Sequence, residues 1–294
     1  MEIKKVGIVG LGIMGAGIAQ VTAEAGFETA GLETSQEYLN KGIKAIEDAL
    51  SRGVAKGKYD ASHKDAVIKR LMGTMEAGAL SDCDLVIEAA SENIDLKKDL
   101  FKRLDDVCEE KTIFATNTSS FSIAELASCT SRPEKVVGMH FFNPVPIMKL
   151  VEVVRSIVVS KETINAALDF AKNIKKDPIL VKDYHGFVVN ILITPYFVEA
   201  IRLWEQGIAS IEDIDKAMKL GTGYPMGPFT LLDMAGLDTM VNAFNNLSEQ
   251  YRDKKYAPPP ILVKMVQLGF LGRKSGKGFY DYSTKPPSPT QFEI

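Results

Sequence analysis

The segment KVGIVGLGIMG, residues 5–15, decides the fold prediction because it joins an apolar strand to a helix through three glycines. Residues 5–9 form a short run typical of a buried parallel strand, and helical periodicity follows the glycines. In this context Gly10 forms the tight turn, Gly12 lets the backbone approach a pyrophosphate, and Gly15 lets the helix pack closely on the strand. The segment therefore predicts a dinucleotide-binding turn, the alternative being a glycine-rich turn without a ligand.

The start of this helix and the second strand predict how the dinucleotide is held. At Ile13 and Met14 the helix N-terminus offers N–H groups and a positive potential to phosphates. Residues 29–32 form a second strand that ends at Glu33, where an acid would hold a ribose hydroxyl. Because a carboxylate there would repel the 2′-phosphate of NADP, we predict NAD as the cofactor.

Composition limits the remaining classes of function. The chain has 294 residues, enough for two domains, and its net charge of -3 gives no global electrostatic reason to bind nucleic acid or an anionic membrane. Cys83, Cys108 and Cys129 form no CxxC pair, and the histidines show no metal-ligand spacing, so we expect a reducing compartment and no metal. The sequence enters a strand pattern without a signal segment and contains no apolar run near the ~18 residues of a membrane span, so we expect a cytoplasmic enzyme.

Further polar side chains follow the later strands of the predicted sheet. Residues 84–88 precede a loop with Glu92, and residues 112–116 precede Asn117 and Ser119. Since the carboxyl ends of parallel strands meet at one edge of a sheet, we expect these side chains to gather beside the glycine turn.

Between these regions, residues 35–76 have a helical pattern interrupted by glycines. Lys56 and Lys58 lie at one interruption, where they would meet an anionic ligand or simply form a solvated helix end.

The segment VVGMHFFNPVP, residues 136–146, places His140 near the end of an apolar strand, and a second strand carries Glu152. Two strands joined by a proline-rich turn would set the Glu152 carboxylate beside the His140 ring. The carboxylate would fix the tautomer and favour the imidazolium, which is the arrangement of a general base with its partner. The alternative is a hydrogen-bonded core histidine with a glutamate on the solvent face.

The second half of the sequence has a different pattern. After Asp183, apolar segments with helical periodicity predict a small bundle, and the excess apolar surface predicts a homodimer. We therefore predict an α/β fold with a Rossmann-type domain over residues 1–183 and an all-helical substrate and dimerisation domain over residues 184–294. Residues 283–290 are rich in serine and proline, so we expect a poorly ordered tail.

Six motifs across the chain resemble the short-length L-3-hydroxyacyl-CoA dehydrogenase family, of the 3-hydroxybutyryl-CoA dehydrogenase kind. They are GLGIMGAGIA (10–19), ATNTSS (115–120), GMHFFNPVPIMKLVEVV (138–154), GFVVN (186–190), AMKLGTGYPMGPF (217–229) and GRKSGKGFYDY (272–282). The resemblance implies NAD-dependent oxidation of an L-3-hydroxyacyl-CoA to the 3-ketoacyl-CoA, and the reverse reaction. Alternatives are a dehydrogenase of a free 3-hydroxy acid and a non-enzymatic protein that retains the fold.

The resemblance also implies roles for individual residues. His140 would be the catalytic base and Glu152 its partner, while Ser119 and Asn190 would line the reacting oxygen. Lys56 or Lys58 would contact the CoA moiety. Together with the glycine turn and the sheet edge, the predicted NAD contacts are Gly10, Gly12, Ile13, Met14, Gly15, Glu33, Glu92, Lys97, Asn117, Ser119, Asn143 and Lys274.

Four residues depart from the family pattern. Glu33 stands in place of aspartate and Ser91 where proline is common, and neither change breaks the proposed chemistry. His185 stands where proline is usual, and Ile191 stands where arginine is common. The effect of Ile191 depends on whether the usual arginine anchors structure or contacts substrate. For Asn190 itself, the alternative role is a helix residue that hydrogen bonds to the other domain.

Overall fold

The computed structural model describes residues 2–292, and the chain divides between Phe187 and Val188 into two compact units. We call these the first unit and the second unit. The first unit contains one eight-stranded sheet, whose strands are β1 (Lys5–Val9), β2 (Glu28–Leu32), β3 (Leu71–Thr74), β4 (Leu85–Glu88), β5 (Ile113–Thr116), β6 (Val136–Phe141), β7 (Leu150–Arg155) and β8 (Asp177–Lys182). Its helices are α1 (Ile13–Glu24), α2 (Gln36–Ala55), α3 (Ala61–Lys69), α4 (Ile94–Val107), α5 (Ile123–Ala127) and α6 (Lys161–Asn173).

The strand order is β3-β2-β1-β4-β5-β6-β7-β8, with parallel pairing from β3 to β6. β7 runs antiparallel to β6, and β8 runs parallel to β7. Alternate residues of β1 join two buried apolar clusters, Val6 and Ile8 in one and Val9 in the other. Such burial on both faces is the reason the parallel strands have nearly continuous apolar sequences. The predicted Rossmann-type α/β fold is confirmed.

Two parts of the sheet differ from the sequence predictions. The helical pattern over residues 35–76 holds for α2 and α3, but it is wrong for β3, which pairs with the edge of β2. Of the four residues of β3, two are half-buried and two are exposed, so the strand lacks the buried apolar run that identifies the inner strands. Neither α6 nor β8 was predicted, although β8 contains the apolar residues 179–181; β8 is an edge strand with mostly exposed residues.

The second unit is mainly helical, as predicted. Its elements are α7 (Val189–Glu205), α8 (Ile211–Thr222), α9 (Pro228–Ala235), α10 (Leu237–Tyr251), α11 (Pro260–Gln267), β9 (Tyr280–Asp281) and β10 (Ser288–Pro289). Aromatic rings fill much of its core, with Trp204, Phe229 and Phe279 in mutual contact.

The expectation of a poorly ordered tail over residues 283–290 is wrong. β10 pairs with β9, and the backbone N–H of Thr290 donates to the Phe279 carbonyl at 2.8 Å. The Thr290 side chain is buried and donates to the Gly278 carbonyl at 2.8 Å. Composition alone therefore misled the prediction, because the segment is fixed by pairing with the strand before it. Within residues 2–292, no helix combines the length and the apolar character that a membrane crossing requires.

Candidate active site

His140 and Glu152 lie directly opposite each other in the antiparallel pair of β6 and β7. His140 Nδ1 lies 2.7 Å from Glu152 Oε2. The glutamate is completely buried and the histidine is 7% exposed, so the pair is held in a low-dielectric environment where its electrostatic interaction is strong. The juxtaposition expected from the two strand patterns is present, while the catalytic roles stay a prediction.

The environment of the His140 ring selects one nitrogen for chemistry. Since a carboxylate accepts, Nδ1 carries the proton that is donated to Glu152, and Nε2 is left as the proton acceptor of the neutral ring. The ring contacts Phe142 and Phe187, with centroid distances of 4.6 Å and 5.5 Å. These aromatic neighbours restrict the motion of the ring and limit the access of water.

The glycine turn between β1 and α1 has the geometry that a dinucleotide requires. Gly10 has φ +87°, in the left-handed region that favours glycine. A Cβ on Gly15 would lie 1.7 Å from the Gly10 carbonyl oxygen, so only glycine allows α1 to begin so close to the turn. Gly12 caps α1 without a side-chain hydrogen bond, and a Cβ there would meet open space. The N–H groups of this helix end are therefore accessible to a pyrophosphate, and the site fits NAD.

The neighbouring side chains support the same fit. Glu33 Oε1 accepts from the Leu11 backbone N–H at 2.6 Å, which fixes the carboxylate beside the turn, where a ribose would lie. Ile13 is 80% exposed at the helix start, and Met14 beside it is half-buried. An apolar side chain this exposed beside the turn offers a surface for an aromatic or ribose group.

Hydrogen bonds connect the loops at the carboxyl ends of β4, β5 and β6. Glu92 Oε1 accepts from the Thr118 hydroxyl at 2.7 Å and from the Ser119 N–H at 2.9 Å. Asn117 Oδ1 accepts from the Phe141 N–H at 2.9 Å, next to His140. The structure therefore brings Glu92, Asn117 and Ser119 to the edge of the sheet that carries His140.

Lys97 is buried in an ion cluster beneath these loops. Its Nζ lies 2.7 Å from Glu88, 3.0 Å from Glu92 and 3.3 Å from the Ala90 carbonyl oxygen. Three N–H donors are thus directed at three protein oxygens, and Lys97 holds the loop after β4. A direct contact between Lys97 and NAD stays a prediction.

The sequence reasoning missed Glu88, which is fully buried and also accepts from Ala90 N–H and the Thr116 hydroxyl. A carboxylate at the end of an apolar strand, nine residues before a lysine on a helix, was the available signal.

A cavity of about 770 Å³ lies beside the glycine turn, between α1, α2 and the turn that follows β6. Lys56, Lys58 and Asn143 all line it, together with Glu33. Its further lining residues include the cations Lys41 and Arg52 and the aromatic side chains Tyr38 and Tyr59. The structure therefore brings the predicted CoA-contacting lysines to the same cavity as the acid after β2.

Two predicted site residues belong to the second unit. Asn190 is half-buried in the first turn of α7. Lys274 lies in a single helical turn and forms an ion pair with Asp238, with Nζ 2.7 Å from Oδ2. The NAD-contacting role of Lys274 stays a prediction.

The departures at His185 and Ile191 have different surroundings. His185 lies in the first unit, and its Nδ1 donates to the Ser120 carbonyl at 3.0 Å, next to Ser119. Ile191 follows Asn190 on α7 and is half-buried. Among residues 2–292, no group of three or more His, Cys, Asp and Glu side chains is arranged to hold a metal ion.

Comparison with known proteins identifies the family. Residues 5–184 match the model of the 3-hydroxyacyl-CoA dehydrogenase NAD binding domain, and residues 186–282 match that of the 3-hydroxyacyl-CoA dehydrogenase C-terminal domain. The chain belongs to the 3-hydroxyacyl-CoA dehydrogenase family. The predicted family, the NAD cofactor and the classification as an NAD-dependent dehydrogenase are confirmed.

Relatives match across almost the whole chain. The chain is 44% identical to the 3-hydroxybutyryl-CoA dehydrogenase of Clostridioides difficile, covering 95% of this chain and 99% of the relative. It is 45% identical to the mitochondrial hydroxyacyl-coenzyme A dehydrogenase of Sus scrofa, and the match covers 95% of this chain and 91% of the relative. The crystal structure of (S)-3-hydroxybutyryl-CoA dehydrogenase PaaH1 from Ralstonia eutropha aligns with a TM-score of 0.91 at 43% identity, covering 96% of this chain and 100% of that one.

Proposed function

We propose that this member of the family oxidises L-3-hydroxyacyl-CoA, in particular 3-hydroxybutyryl-CoA, to the 3-ketoacyl-CoA and catalyses the reverse reduction. The observation that carries the proposal is the buried His140–Glu152 pair at the sheet edge that also bears the glycine turn. Relatives named as 3-hydroxybutyryl-CoA dehydrogenases support the choice of substrate.

His140 is the proposed general base. In oxidation, Nε2 removes the proton of the substrate hydroxyl, and the resulting imidazolium is stabilised by Glu152 at Nδ1. In reduction, the same Nε2–H returns the proton to the oxygen. NAD, when bound, accepts the hydride from the substrate carbon, and NADH supplies it in the reverse direction.

Ser119 and Asn190 are proposed to position the reacting oxygen. The Ser119 backbone is fixed by its bond to Glu92, which leaves its half-buried hydroxyl beside Ser120 at 3.3 Å as a donor that can turn to the substrate. Asn190, at the start of α7, offers a carboxamide donor. Their contribution is orientation, since neither group gains or loses a proton in the reaction.

The cavity beside α2 is proposed to bind the CoA nucleotide. Lys41, Arg52, Lys56 and Lys58 direct positive charge toward it, and the phosphates of CoA are strongly anionic. Glu33 lies at the glycine end of the same cavity, where its negative charge disfavours a phosphorylated ribose. The carboxylate at one end of the cavity therefore favours NAD, and the cations along the rest of the same cavity favour a CoA thioester.

The test is a substrate comparison with the purified protein. We expect NADH oxidation, followed by absorbance, to be rapid with acetoacetyl-CoA, within the ordinary enzymatic range of about 1–1,000 per second. Free acetoacetate tests the free-acid alternative and should react far more slowly, and NADPH should replace NADH poorly. A higher kcat/KM for acetoacetate, or no turnover with either substrate, would contradict the proposal.

We also propose that residues 184–294, which include the second unit, mediate dimerisation. It exposes the large apolar side chains Leu192, Ile208 and Leu220, which a second copy of the chain would cover. Sedimentation at micromolar concentration should give twice the chain mass, and a monomer mass would overturn the proposal. A cytoplasmic location stays a prediction.

A further inference from the structure

A buried lysine lies behind the turn that connects the His140 strand to the Glu152 strand. Lys176 is 6% exposed, and its Nζ donates to the carbonyl oxygens of Val145 and of Met148, the latter at 2.8 Å. Within residues 2–292 it forms no ion pair with a carboxylate. A buried ammonium without a counter-ion is costly, so this one is retained through its bonds to the two carbonyl groups.

The backbone around Lys176 is rigid. Lys175 has φ +61°, and its N–H donates to the Lys172 carbonyl, while the Lys176 N–H donates to the Ala171 carbonyl. This is the Schellman arrangement that ends a helix, here α6, with a residue in the left-handed region. The next residue, Asp177, begins β8 and donates to the Lys149 carbonyl at 2.9 Å. Hydrogen bonds on both sides therefore fix the backbone of Lys176 between α6 and β8.

The turn it holds, residues 143–148, forms one wall of the cavity beside α2. Asn143, Pro144, Val145, Pro146 and Ile147 all line that cavity. Two backbone hydrogen bonds lie within the turn, from the N–H groups of Ile147 and Met148 to the Pro144 carbonyl oxygen. The carbonyl oxygens of Val145 and Met148 are instead directed to Lys176, which thereby connects the wall to the end of α6.

The positive charge of Lys176 also favours an anionic ligand in the cavity, although the surroundings of the ammonium weaken its charged form. Burial lowers the pKa of its ammonium, and the Lys58 ammonium, which lines the cavity, lowers it further, while Glu24 opposes both. The lysine adds positive potential behind a wall whose proposed ligand is an anion.

We propose that Lys176 is a positioning residue that holds the 143–148 turn as a wall for the CoA nucleotide and thereby sets the affinity for the CoA thioester. The inference rests on the proposed function, because it assumes that the cavity binds CoA. It requires no direct contact between Lys176 and the substrate. The strands that carry His140 and Glu152 are fixed by their own pairing, so the chemical step should be largely independent of Lys176.

The experiment compares Lys176→Met with Lys176→Arg, and uses Lys172→Met as the matched control on the same helix. Lys172 is mostly exposed, and its Nζ lies 3.3 Å from Asp169 Oδ1. KM and kcat are measured at saturating NADH with acetoacetyl-CoA and with acetoacetyl-N-acetylcysteamine, a thioester that lacks the nucleotide. If Lys176→Met is not recovered folded, as judged by near-UV circular dichroism, Lys176→Gln takes its place in the same assays.

We expect Lys176→Met to raise KM for acetoacetyl-CoA by about tenfold, the loss typical of one hydrogen bond to a charged group. The kcat should stay within about threefold, and kcat/KM for the truncated thioester should be unchanged. Lys176→Arg, which keeps charge and donors, should restore most of the affinity, and Lys172→Met should match the parent protein.

An unchanged KM for acetoacetyl-CoA, or an equal loss with both thioesters, would overturn the role of Lys176. These outcomes differ from failure of the proposed function, in which the unmodified protein itself would not reduce acetoacetyl-CoA.

Discussion

Buried carboxylates occur in both units of the molecule, but their partners differ. Glu152 in the first unit and Asp233 in the second are both essentially inaccessible to solvent. Glu152 contacts the ring of His140, a group that can gain and lose a proton near neutral pH. Asp233 accepts from the backbone N–H groups of Phe279 and Tyr280 at 2.9 Å, and from the Tyr282 hydroxyl at 3.0 Å.

Asp215 follows the pattern of Asp233. It accepts from the backbone N–H groups of Phe229 and Thr230, and from the hydroxyl groups of Thr230 and Tyr280. These donors keep their protons throughout, so the two aspartates fix the C-terminal segment and α9 against the helical core. Burial of a carboxylate therefore does not by itself identify an active site, and it is the titratable ring beside Glu152 that makes the first site the candidate for proton transfer.

The largest expected effect is a loss of activity that distinguishes the His140–Glu152 pair from the buried aspartates of the second unit. His140→Gln should lower kcat for acetoacetyl-CoA reduction by roughly 10²–10⁴, the usual contribution of a general acid or base. Glutamine can still donate to Glu152, so the midpoint of urea unfolding should change little. Steady-state kinetics and urea titration of the same preparation measure both quantities.

Asp233→Asn is the contrasting variant. Its activity at a temperature where it remains folded should stay close to that of the unmodified protein. A kcat loss for Asp233→Asn as large as that for His140→Gln would remove the distinction between the two regions.

The second effect is a pH dependence of stability that belongs to Asp233. Burial raises the pKa of its carboxyl from 3.8 to about 6, against the opposing effect of its hydrogen-bond donors. Because the folded state binds this proton more tightly than the unfolded state, the stabilisation is fully present below 3.8 and is lost as pH rises through about 6. Between pH 7.5 and pH 5 the gain should be about 1.4 kcal/mol.

The measurement is the free energy of unfolding in urea at pH 5 and pH 7.5, for the unmodified protein and for Asp233→Asn. The pH-dependent difference between the two proteins isolates the contribution of this carboxyl. A difference that grows toward pH 7.5 would mean that the carboxylate is favoured by folding, contrary to the account.

The smallest effect concerns a single donor to Asp233. Tyr282→Phe removes the hydroxyl that donates to Oδ2, and should destabilise the protein by about 1 kcal/mol. Since the remaining donors hold the carboxyl, the kcat for acetoacetyl-CoA should be unchanged. Thermal or urea unfolding measures the loss of stability. An accompanying loss of turnover would show that Asp233 contributes to the reaction.

Features with local sequence signals were predictable. The strand, three glycines and helix of residues 5–15 form one continuous segment, and the two strands around the proline-rich turn were enough to place Glu152 opposite His140. Parallel pairing then explains why loops after different strands meet.

Features that depend on distant partners were not predictable. β3 pairs with the edge of β2, and β10 pairs with β9, so neither strand is evident from its own residues. In the sequence, Lys176 follows a helix end and resembles a surface lysine. In the structure it is buried, and its Nζ donates to two carbonyl groups that lie about thirty residues earlier in the chain. Glu88 likewise depends on Lys97 and Thr116, on different elements of the fold.

Glu152 is proposed to act through His140, and a double-mutant cycle tests this dependence most directly. The rate of hydride transfer to acetoacetyl-CoA is measured in a single turnover by NADH fluorescence for His140→Gln, Glu152→Gln and the double variant. If the carboxylate serves only to orient the ring and stabilise the imidazolium, the second substitution should cost nothing once the ring is absent, so the double variant should match His140→Gln. Losses that simply multiply would show that the two residues act independently and would contradict the account.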